Sequence, residues 1–331
     1  MQKPNLRYLS AADVTRALPD IDERLALARM TMTALVGDAQ LPPKIGVHPA
    51  GVDSFGHAMP AWMRGTDGAD DLLGMKWVVG FPANVGLGLP AIHGTVLLSD
   101  ATTGLPRAII DAGPITAHRT AAVSGTAIER WGPTSDSGLR VAVLGAGVQA
   151  RSHLPVIAHL LPRPELVICD RDAIRRDALA DAIRSGDDDL GDYASVSTTG
   201  DLASAVDGAD LVVSIVSFGP DRQVLRPDDF ADDATVVAVD YDMTVPAALA
   251  EQAALFLTDD RGQFLANRTD SVFAGYPDPR AMIGQAILAG TKRPGGRVLV
   301  SHLGVGLADV VFSDAILRAA EAAGIGTVLE A

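Results

Sequence analysis

One stretch of the chain places two glycines, a small residue and an acid at a spacing that suits a nucleotide. The apolar run Arg140–Leu144 leads into the turn Gly145-Ala146-Gly147-Val148-Gln149-Ala150, of the form G-x-G-x-x-A. Gly145 allows a tight turn, Gly147 lets the backbone approach a pyrophosphate, and Ala150 lets a helix lie close to a sheet. Apolar residues at helical spacing follow, and the start of such a helix offers N–H groups to phosphates.

A second apolar run, Leu166–Cys169, ends on Asp170. An acid at this point can accept hydrogen bonds from both ribose hydroxyls and repels a 2′-phosphate, which predicts NAD(H) rather than NADP(H). Arg171 is the neighbouring feature that favours the phosphorylated cofactor. The order strand, glycine turn, helix, strand and acid indicates a dinucleotide site, and the alternative is a glycine turn that binds nothing. The predicted cofactor contacts are Thr120, Gly145, Gly147, Val148, Gln149, Ala150, Asp170, Arg171, Val216, Ser217, Ala238 and Val239.

Three cations stand among apolar or small residues in the N-terminal part: Lys44, Lys76 and Arg119. If they converge, they make a site for a carboxylate; the alternative is three separately satisfied side chains. Asp242 follows a predicted strand at its C-terminal end, where α/β sheets bind ligands, and is a candidate acid or base. Asp240 competes for that role, and either acid could instead cap a turn.

Other reactive side chains are weaker candidates. His57 and His118 could be site residues, but a lone histidine is more often a packed one, and the histidines lack H-x-x-x-H spacing, so we predict no metal. Cys169 is the only cysteine and lies in a predicted strand, which favours a core residue over a nucleophile.

Strands and helices alternate through the middle of the chain, which predicts a doubly wound α/β sheet. Outside it the pattern predicts a helix over Ser10–Leu35, a strand over Gly74–Val79, a hairpin formed by Ala91–Asp100 and Pro106–Asp111, and a helix over Thr116–Trp131. Gly132–Gly138 reads as a break before the dinucleotide unit. Further predicted elements are strands Leu211–Ser217 and Thr235–Val239, helices Ala173–Ile183 and Leu202–Val206, and two C-terminal helices, Gly304–Phe312 and Ser313–Ala323.

Composition limits the functions available to the chain. Its 331 residues suffice for one large or two ordinary domains, and its net charge of −14 argues against a nucleic-acid partner. The N-terminus has no apolar signal region and no run reaches the length of a membrane span, so we expect a cytoplasmic protein without a membrane partner.

Seven blocks in a fixed order resemble the ornithine cyclodeaminase/mu-crystallin family over nearly the whole chain. They are PPK (Pro42–Lys44), MP (Met59–Pro60), GMKWV (Gly74–Val78), GLPAIHGTVLLSDATTGLPRAII (Gly88–Ile110), ITAHRTAAVSG (Ile115–Gly125), GAGVQAR (Gly145–Arg151) and VGLADV (Val305–Val310).

The resemblance implies a homodimer in which an α+β substrate-binding and dimerisation domain, 1–131 with 305–331, accompanies a Rossmann-type dinucleotide domain, 132–304. It implies that Lys44, Lys76 and Arg119 hold a substrate carboxylate and that Val305 lines the substrate pocket. It also implies that Asp242 exchanges a proton with the nitrogen of the substrate amine or imine. Lys76 would lie close enough to influence the ionisation of Asp242.

Four departures from the family pattern put ornithine in doubt as the substrate. His57 stands where cyclodeaminases carry Glu, Ala91 replaces a Thr, Thr244-Val245-Pro246 replaces PGK, and Arg297–His302 replaces a polar stretch. The hydride chemistry is untouched. The predicted function is therefore an NAD(H)-dependent oxidoreductase on the C–N bond of an α-amino or α-imino acid, either an amino-acid dehydrogenase or a ketimine reductase. The alternatives are a cyclodeaminase using catalytic NAD⁺ and a non-enzymatic protein that binds a small ligand.

Overall fold

The structure is a computed structural model that describes residues 5–49, 54–65, 68–135, 138–269 and 272–330. The chain divides into two compact units, Met1–Arg119 with Gly304–Ala331, and Thr120–Leu303. Asp136 and Ser137, within the predicted break Gly132–Gly138, lie outside the described residues.

The strands of the described residues are divided between two sheets. The strands are β1 (Asn5–Leu9), β2 (Ala39–Gln40), β3 (Ile45–Val47), β4 (Phe55–Met63), β5 (Leu72–Gly80), β6 (Ile92–Asp100), β7 (Pro106–Asp111), β8 (Arg140–Leu144), β9 (Glu165–Cys169), β10 (Ser195–Thr199), β11 (Leu211–Ser214), β12 (Thr235–Ala238), β13 (Leu255–Thr258), β14 (Ala281–Met282), β15 (Val298–Ser301) and β16 (Thr327–Glu330).

The α-helices of the described residues range from five residues to twenty. They are α1 (Ala11–Arg16), α2 (Ile21–Ala34), α3 (Ala112–Trp131), α4 (Val148–Leu160), α5 (Ala173–Arg184), α6 (Leu202–Val206), α7 (Ala247–Gln252), α8 (Arg261–Thr269), α9 (Ile283–Leu288) and α10 (Gly306–Ala322). Within the part of the chain that is described, none of them combines the length and apolar character needed to cross a bilayer.

The first unit is built on a mixed sheet with the order β16-β1-β7-β6-β5-β4-β2, to which β3 adds by pairing with β4. Helix α10 covers one face of β4, β5 and β6. Gly74 on β5 permits this close approach, because a Cβ there would lie 3.0 Å from Cγ2 of Val310 and 2.8 Å from the carbonyl oxygen of Leu97. The side chain of Lys76, two residues along β5, therefore points into the same buried layer.

The second unit contains a parallel sheet with the order β10-β9-β8-β11-β12-β15-β13-β14 in the described residues. The doubly wound Rossmann-type fold predicted from the alternating pattern is confirmed. Strands β8, β11 and β12 carry buried apolar side chains on both faces, as strands covered by helices must. The order reverses direction between β8 and β11, and α/β sheets bind ligands at the carboxyl ends of strands flanking such a reversal.

The predicted helix Ser10–Leu35 is wrong as a single element, since α1 and α2 are separate. Pro19 disfavours helical geometry at the residue before it and lacks an N–H to donate. Asp20 then starts α2 by accepting a hydrogen bond from the Glu23 N–H at 2.9 Å. The prediction of helical structure is correct on both sides of this break, and Pro19 marks where the helix is interrupted.

At the C-terminus the two predicted helices, Gly304–Phe312 and Ser313–Ala323, form the single helix α10. Ser313 is fully buried inside it and interrupts nothing, because no glycine or proline accompanies it. Strand predictions ran too long at their ends: β11 stops at Ser214 rather than Ser217, and β12 at Ala238 rather than Val239. Strands β10, β13, β14, β15 and β16 were not predicted.

Candidate functional site

The glycine turn after β8 has the geometry that its sequence predicts. Gly145 has φ +112°, and a Cβ there would lie 2.7 Å from the carbonyl oxygen of Ile215, so only glycine fits. Gly147 begins α4 without a side-chain cap, and a Cβ on it would meet nothing within 4 Å. Val148, the first helical residue, is 72% exposed. Uncapped N–H groups beside open space suit a pyrophosphate, so these residues fit a dinucleotide.

Asp170 is held in place by the turn itself. Its Oδ2 accepts a hydrogen bond from the Ala146 N–H at 2.8 Å, and its Oδ1 accepts one from the Asp172 N–H at 2.9 Å. Arg175, in the first turn of α5, brings a guanidinium nitrogen to 4.0 Å from Oδ2. The structure thus adds Arg175 to the exposed Arg171 as a cation beside the predicted ribose acid.

A buried serine lies between two histidines, one of which belongs to helix α4. The sequence patterns did not predict this group. The Ser124 hydroxyl is 2.9 Å from Nε2 of His153 and 2.8 Å from Nε2 of His302. Nδ1 of His153 lies 2.7 Å from the carbonyl oxygen of Gln149, in the first turn of α4. Burial lowers the pKa of His153 to about 3, so the ring is neutral and donates to that carbonyl.

The loops after β11 and β12 carry the other predicted cofactor residues of this unit. Val216 and Ser217 follow β11, Ala238 is the last residue of β12, and Val239 follows it. Thr120, on α3, is buried. Val216 and Ser217 are loop residues rather than strand residues, because β11 is shorter than predicted.

Asp240 follows β12 and is buried among neutral hydrogen-bond donors. Oδ2 accepts a hydrogen bond from the Ser214 hydroxyl, which also lies 2.6 Å from the Thr244 hydroxyl. No side chain of the described residues donates a hydrogen bond to its Oδ1. Burial raises the pKa of Asp240 to about 7, although the bonds from Ser214 and from the backbone oppose the rise.

Asp242, two residues further on, is fully buried but has a charged partner. Arg222 forms an ion pair with its Oδ1, and the Phe273 N–H donates to its Oδ2 at 2.9 Å. Gln223, Tyr241 and Phe273 have φ values of +54°, +63° and +60°, unusual for side chains of this size. Three left-handed residues around one carboxylate indicate strain stored at this point, a pattern typical of functional sites.

In the first unit, two of the three predicted cations meet one acid that the sequence analysis did not single out. Nζ of Lys76 lies 2.7 Å from Oδ2 of Asp309, and Nε of Arg119 lies 3.2 Å from its Oδ1. All three side chains are almost completely buried. Asp309 is the one acid in the apolar opening of α10, and an isolated charge in such a run was the signal available for it.

Burial and two further cations act on Lys76. Burial lowers its pKa to about 8, Asp309 opposes this shift, and Arg119 and Lys44 add to it. Lys44 is half-buried and lies just before β3. The structure thus joins Lys76 and Arg119 through Asp309, and Lys44 acts on Lys76 through its charge.

The start of α10 shapes the space around Arg119. Gly304 has φ +79°, and a Cβ there would lie 2.6 Å from a guanidinium nitrogen of Arg119. Val305, a predicted pocket residue, precedes the first residue of α10 and is buried. His118 differs from its neighbour Arg119, since its Nδ1 lies 2.7 Å from a guanidinium nitrogen of Arg24.

Two remaining predictions concern the reactivity of Cys169 and a metal ion. Burial raises the pKa of Cys169 to about 11, and Asp170 contributes, so its thiol is poorly suited to act as a nucleophile. Among the described residues, no group of three or more His, Cys, Asp or Glu side chains is arranged to hold a metal ion.

The chain belongs to the ornithine cyclodeaminase/mu-crystallin family, whose sequence model matches residues 16–239. Nodulation efficiency protein NfeD of Rhizobium meliloti is 29% identical over 333 residues, covering 98% of each chain.

Solved structures that share the fold include two complexes with a bound cofactor. The Δ¹-pyrroline-2-carboxylate reductase of Thermococcus litoralis, in complex with NADH and L-proline, has a TM-score of 0.81 and 21% identity over 97% of this chain and 99% of that one. An archaeal alanine dehydrogenase dimer with bound NAD has a TM-score of 0.83 and 20% identity, covering 98% of this chain and 99% of that one.

Proposed function

We propose that this protein is an NAD(H)-dependent oxidoreductase that acts on the C–N bond of an α-amino or α-imino acid. The observation that carries the proposal is the buried cluster of Lys76, Arg119 and Asp309. Two desolvated cations share one acid, which leaves a positive charge for an incoming carboxylate.

Lys44, Lys76 and Arg119 would bind the α-carboxylate and so fix the α-carbon, while Val305 would line the same pocket. The planar guanidinium of Arg119 suits a two-point contact with a carboxylate, whereas the lysines act as point charges. Orienting a substrate in this way lowers the entropic barrier to reaction.

NAD(H), when bound, supplies or accepts the hydride. Gly145, Gly147 and the first turn of α4 would hold its pyrophosphate, and Asp170 would accept hydrogen bonds from its ribose. The fixed carboxylate of Asp170 supports NAD(H) over NADP(H), since a 2′-phosphate would meet a negative charge.

A proton must leave or reach the substrate nitrogen whenever the C–N bond changes its oxidation level. We assign this exchange to the carboxylate of Asp242, with Arg222 and the Phe273 N–H orienting it. Asp240 is the competing carboxylate.

We further propose a cytoplasmic homodimer in which 1–131 with 305–331 bind substrate and a second copy, and 132–304 bind the cofactor. An apolar surface supports the dimer. On the face of the first unit's sheet opposite Lys76, the side chains of Ile45, Val47 and Trp77 are 66%, 57% and 42% exposed. Exposed apolar groups on one sheet face are typical of an interface.

An assay of net redox change tests the proposal. Substrate-dependent consumption or production of NADH supports an amino-acid dehydrogenase or ketimine reductase. Ammonia release with only catalytic NAD⁺ would instead support a cyclodeaminase, the activity for which the family is partly named. A lack of turnover across amino acids, oxo acids with ammonia and cyclic imines would favour a non-enzymatic binding protein.

A further inference from the structure

A second group of basic side chains lies on the same sheet face as Lys76. Gly46 on β3 pairs with His57 on β4, and Met59 on β4 pairs with Lys76 on β5. Directly paired residues point to the same side of a sheet, and so do residues two apart. His57 and Lys76 therefore share one face. His48, two residues beyond Gly46, lies with its ring centroid 6.5 Å from that of His57.

Gly46 and Phe55 shape the space around the ring of His57. A Cβ at position 46 would lie 3.0 Å from Cδ2 of His57, so glycine there leaves space for the ring. The ring stacks on Phe55 at a centroid distance of 4.6 Å.

Among the described residues, the charged groups that act on the pKa of His57 are basic. Burial lowers the pKa of His57 first, and Lys44, His48 and Lys76 lower it further. Asp309, the acid of the first cluster, forms its ion pairs with Lys76 and Arg119. A ligand group placed beside His57 thus meets the positive charge of Lys44 and Lys76, which attracts an anion and repels an ammonium group.

We propose that Lys44, His48 and His57 form a subsite for a second acidic group, so that the substrate is a dicarboxylic α-amino or α-imino acid. This inference rests on the proposed function, in which the cluster of Lys76 and Arg119 takes the α-carboxylate. The second carboxylate would then lie at the basic group next to it and accept a hydrogen bond from the one N–H of the neutral His57 ring.

Matched substrates of equal length test the subsite. With NADH and ammonia, 2-oxoglutarate should exceed 2-oxopentanoate in kcat/KM by about tenfold to a hundredfold, the range of a hydrogen bond to a charged group. L-Ornithine should be among the poorest amino acids. Equal efficiency for the two oxo acids, or a preference for ornithine, would overturn the subsite while leaving the oxidoreductase in place.

Variants locate the effect. His57→Leu should reduce the 2-oxoglutarate to 2-oxopentanoate ratio, and His57→Glu should invert it. His93→Leu is the matched control, because His93 pairs with Val79 and so lies on the opposite face of the same sheet. An unchanged ratio in both His57 variants would contradict the proposal, as would a reduced ratio in the His93 variant.

A binding measurement separates failure of the subsite from failure of the proposed reaction. By calorimetry, glutarate should bind more tightly than pentanoate by about tenfold or more, and the difference should disappear in His57→Leu. This result would support the subsite even if the turnover assays failed. Equal binding of the two acids would overturn it whatever the enzyme catalyses.

Discussion

The two units each bury a cluster of charges, but they satisfy those charges in different ways. In the first unit, Lys76 and Arg119 share one acid, Asp309, at 2.7 and 3.2 Å. In the second, Asp240 is held by neutral hydroxyls, whereas Asp242 has its own cation, Arg222. The first cluster therefore carries an excess of positive charge, and the second separates two carboxylates that are only two residues apart.

This difference teaches what each cluster can do. Burial lowers the pKa of Lys76 to about 8 and raises that of Asp240 to about 7, in each case because the charged form loses water. An excess of buried positive charge suits binding of a carboxylate. A carboxyl group that titrates near neutral pH suits proton exchange, so Asp240 remains a serious rival to Asp242.

The largest expected effect separates those two acids. Asp242→Asn should lower kcat by about 10² to 10⁴, since the amide keeps the shape but cannot exchange a proton. Asp240→Asn should lower it much less. NADH binding, measured by its fluorescence, should survive in both variants. If the Asp240 variant is the inactive one, Asp240 rather than Asp242 exchanges the proton.

The next effect tests the first cluster. Arg119→Ala should raise KM by about 30-fold to several thousandfold, which corresponds to roughly 2–5 kcal/mol for a lost partner of a buried charge. Arg107→Ala is the matched control, because Arg107 pairs with Asp314 of α10 at 3.1 Å in the same unit and has no assigned role. Similar KM values for the two variants would mean that the Arg119 cluster is structural.

The pH dependence of binding sharpens the assignment of Lys76. Its ammonium is charged below a pKa of about 8 and neutral above it, so carboxylate affinity should fall as pH rises through this value. The limit is about tenfold per pH unit if binding requires the charge. The dissociation constant of a saturated monocarboxylate between pH 7 and 9 measures this without a titrating substrate amine. Lys76→Met should flatten the curve, and a flat curve in the unaltered protein would exclude Lys76 from the site.

The smallest effect concerns an acid outside both clusters, Asp170. The kcat/KM for NADH should exceed that for NADPH. Asp170→Ala should lower the ratio of these two values by about tenfold, because Coulomb repulsion of a 2′-phosphate is removed. Asp181→Ala is the control, since Asp181 lies later in α5 and pairs there with Arg184 at 2.9 Å, so its loss should leave the cofactor preference unchanged. If the unaltered protein prefers NADPH, Arg171 and Arg175 become the residues that read the phosphate.

Local features were predicted well and distant partnerships were not. Strand β8, the turn at Gly145 and helix α6 match their predicted positions because they depend on neighbours within a few residues. Strand ends after β11 were misjudged because pairing with β8 and β12, rather than composition, sets where a strand stops. Asp309 escaped notice because its partners Lys76 and Arg119 lie far away in the sequence.

By itself, the sequence determined the family, the dinucleotide turn and the identity of the isolated cations. A glycine turn between a strand and a helix is specified by consecutive residues, and an unpaired charge in an apolar run shows that a partner must exist. Only the tertiary structure decided which partner that is. Asp309 meets Lys76 because α10 packs on β5, Arg222 meets Asp242 because two loops meet beyond their strands, and His57 faces basic neighbours because of strand register. Each of these contacts joins separate elements, so its geometry depends on packing that no local pattern encodes.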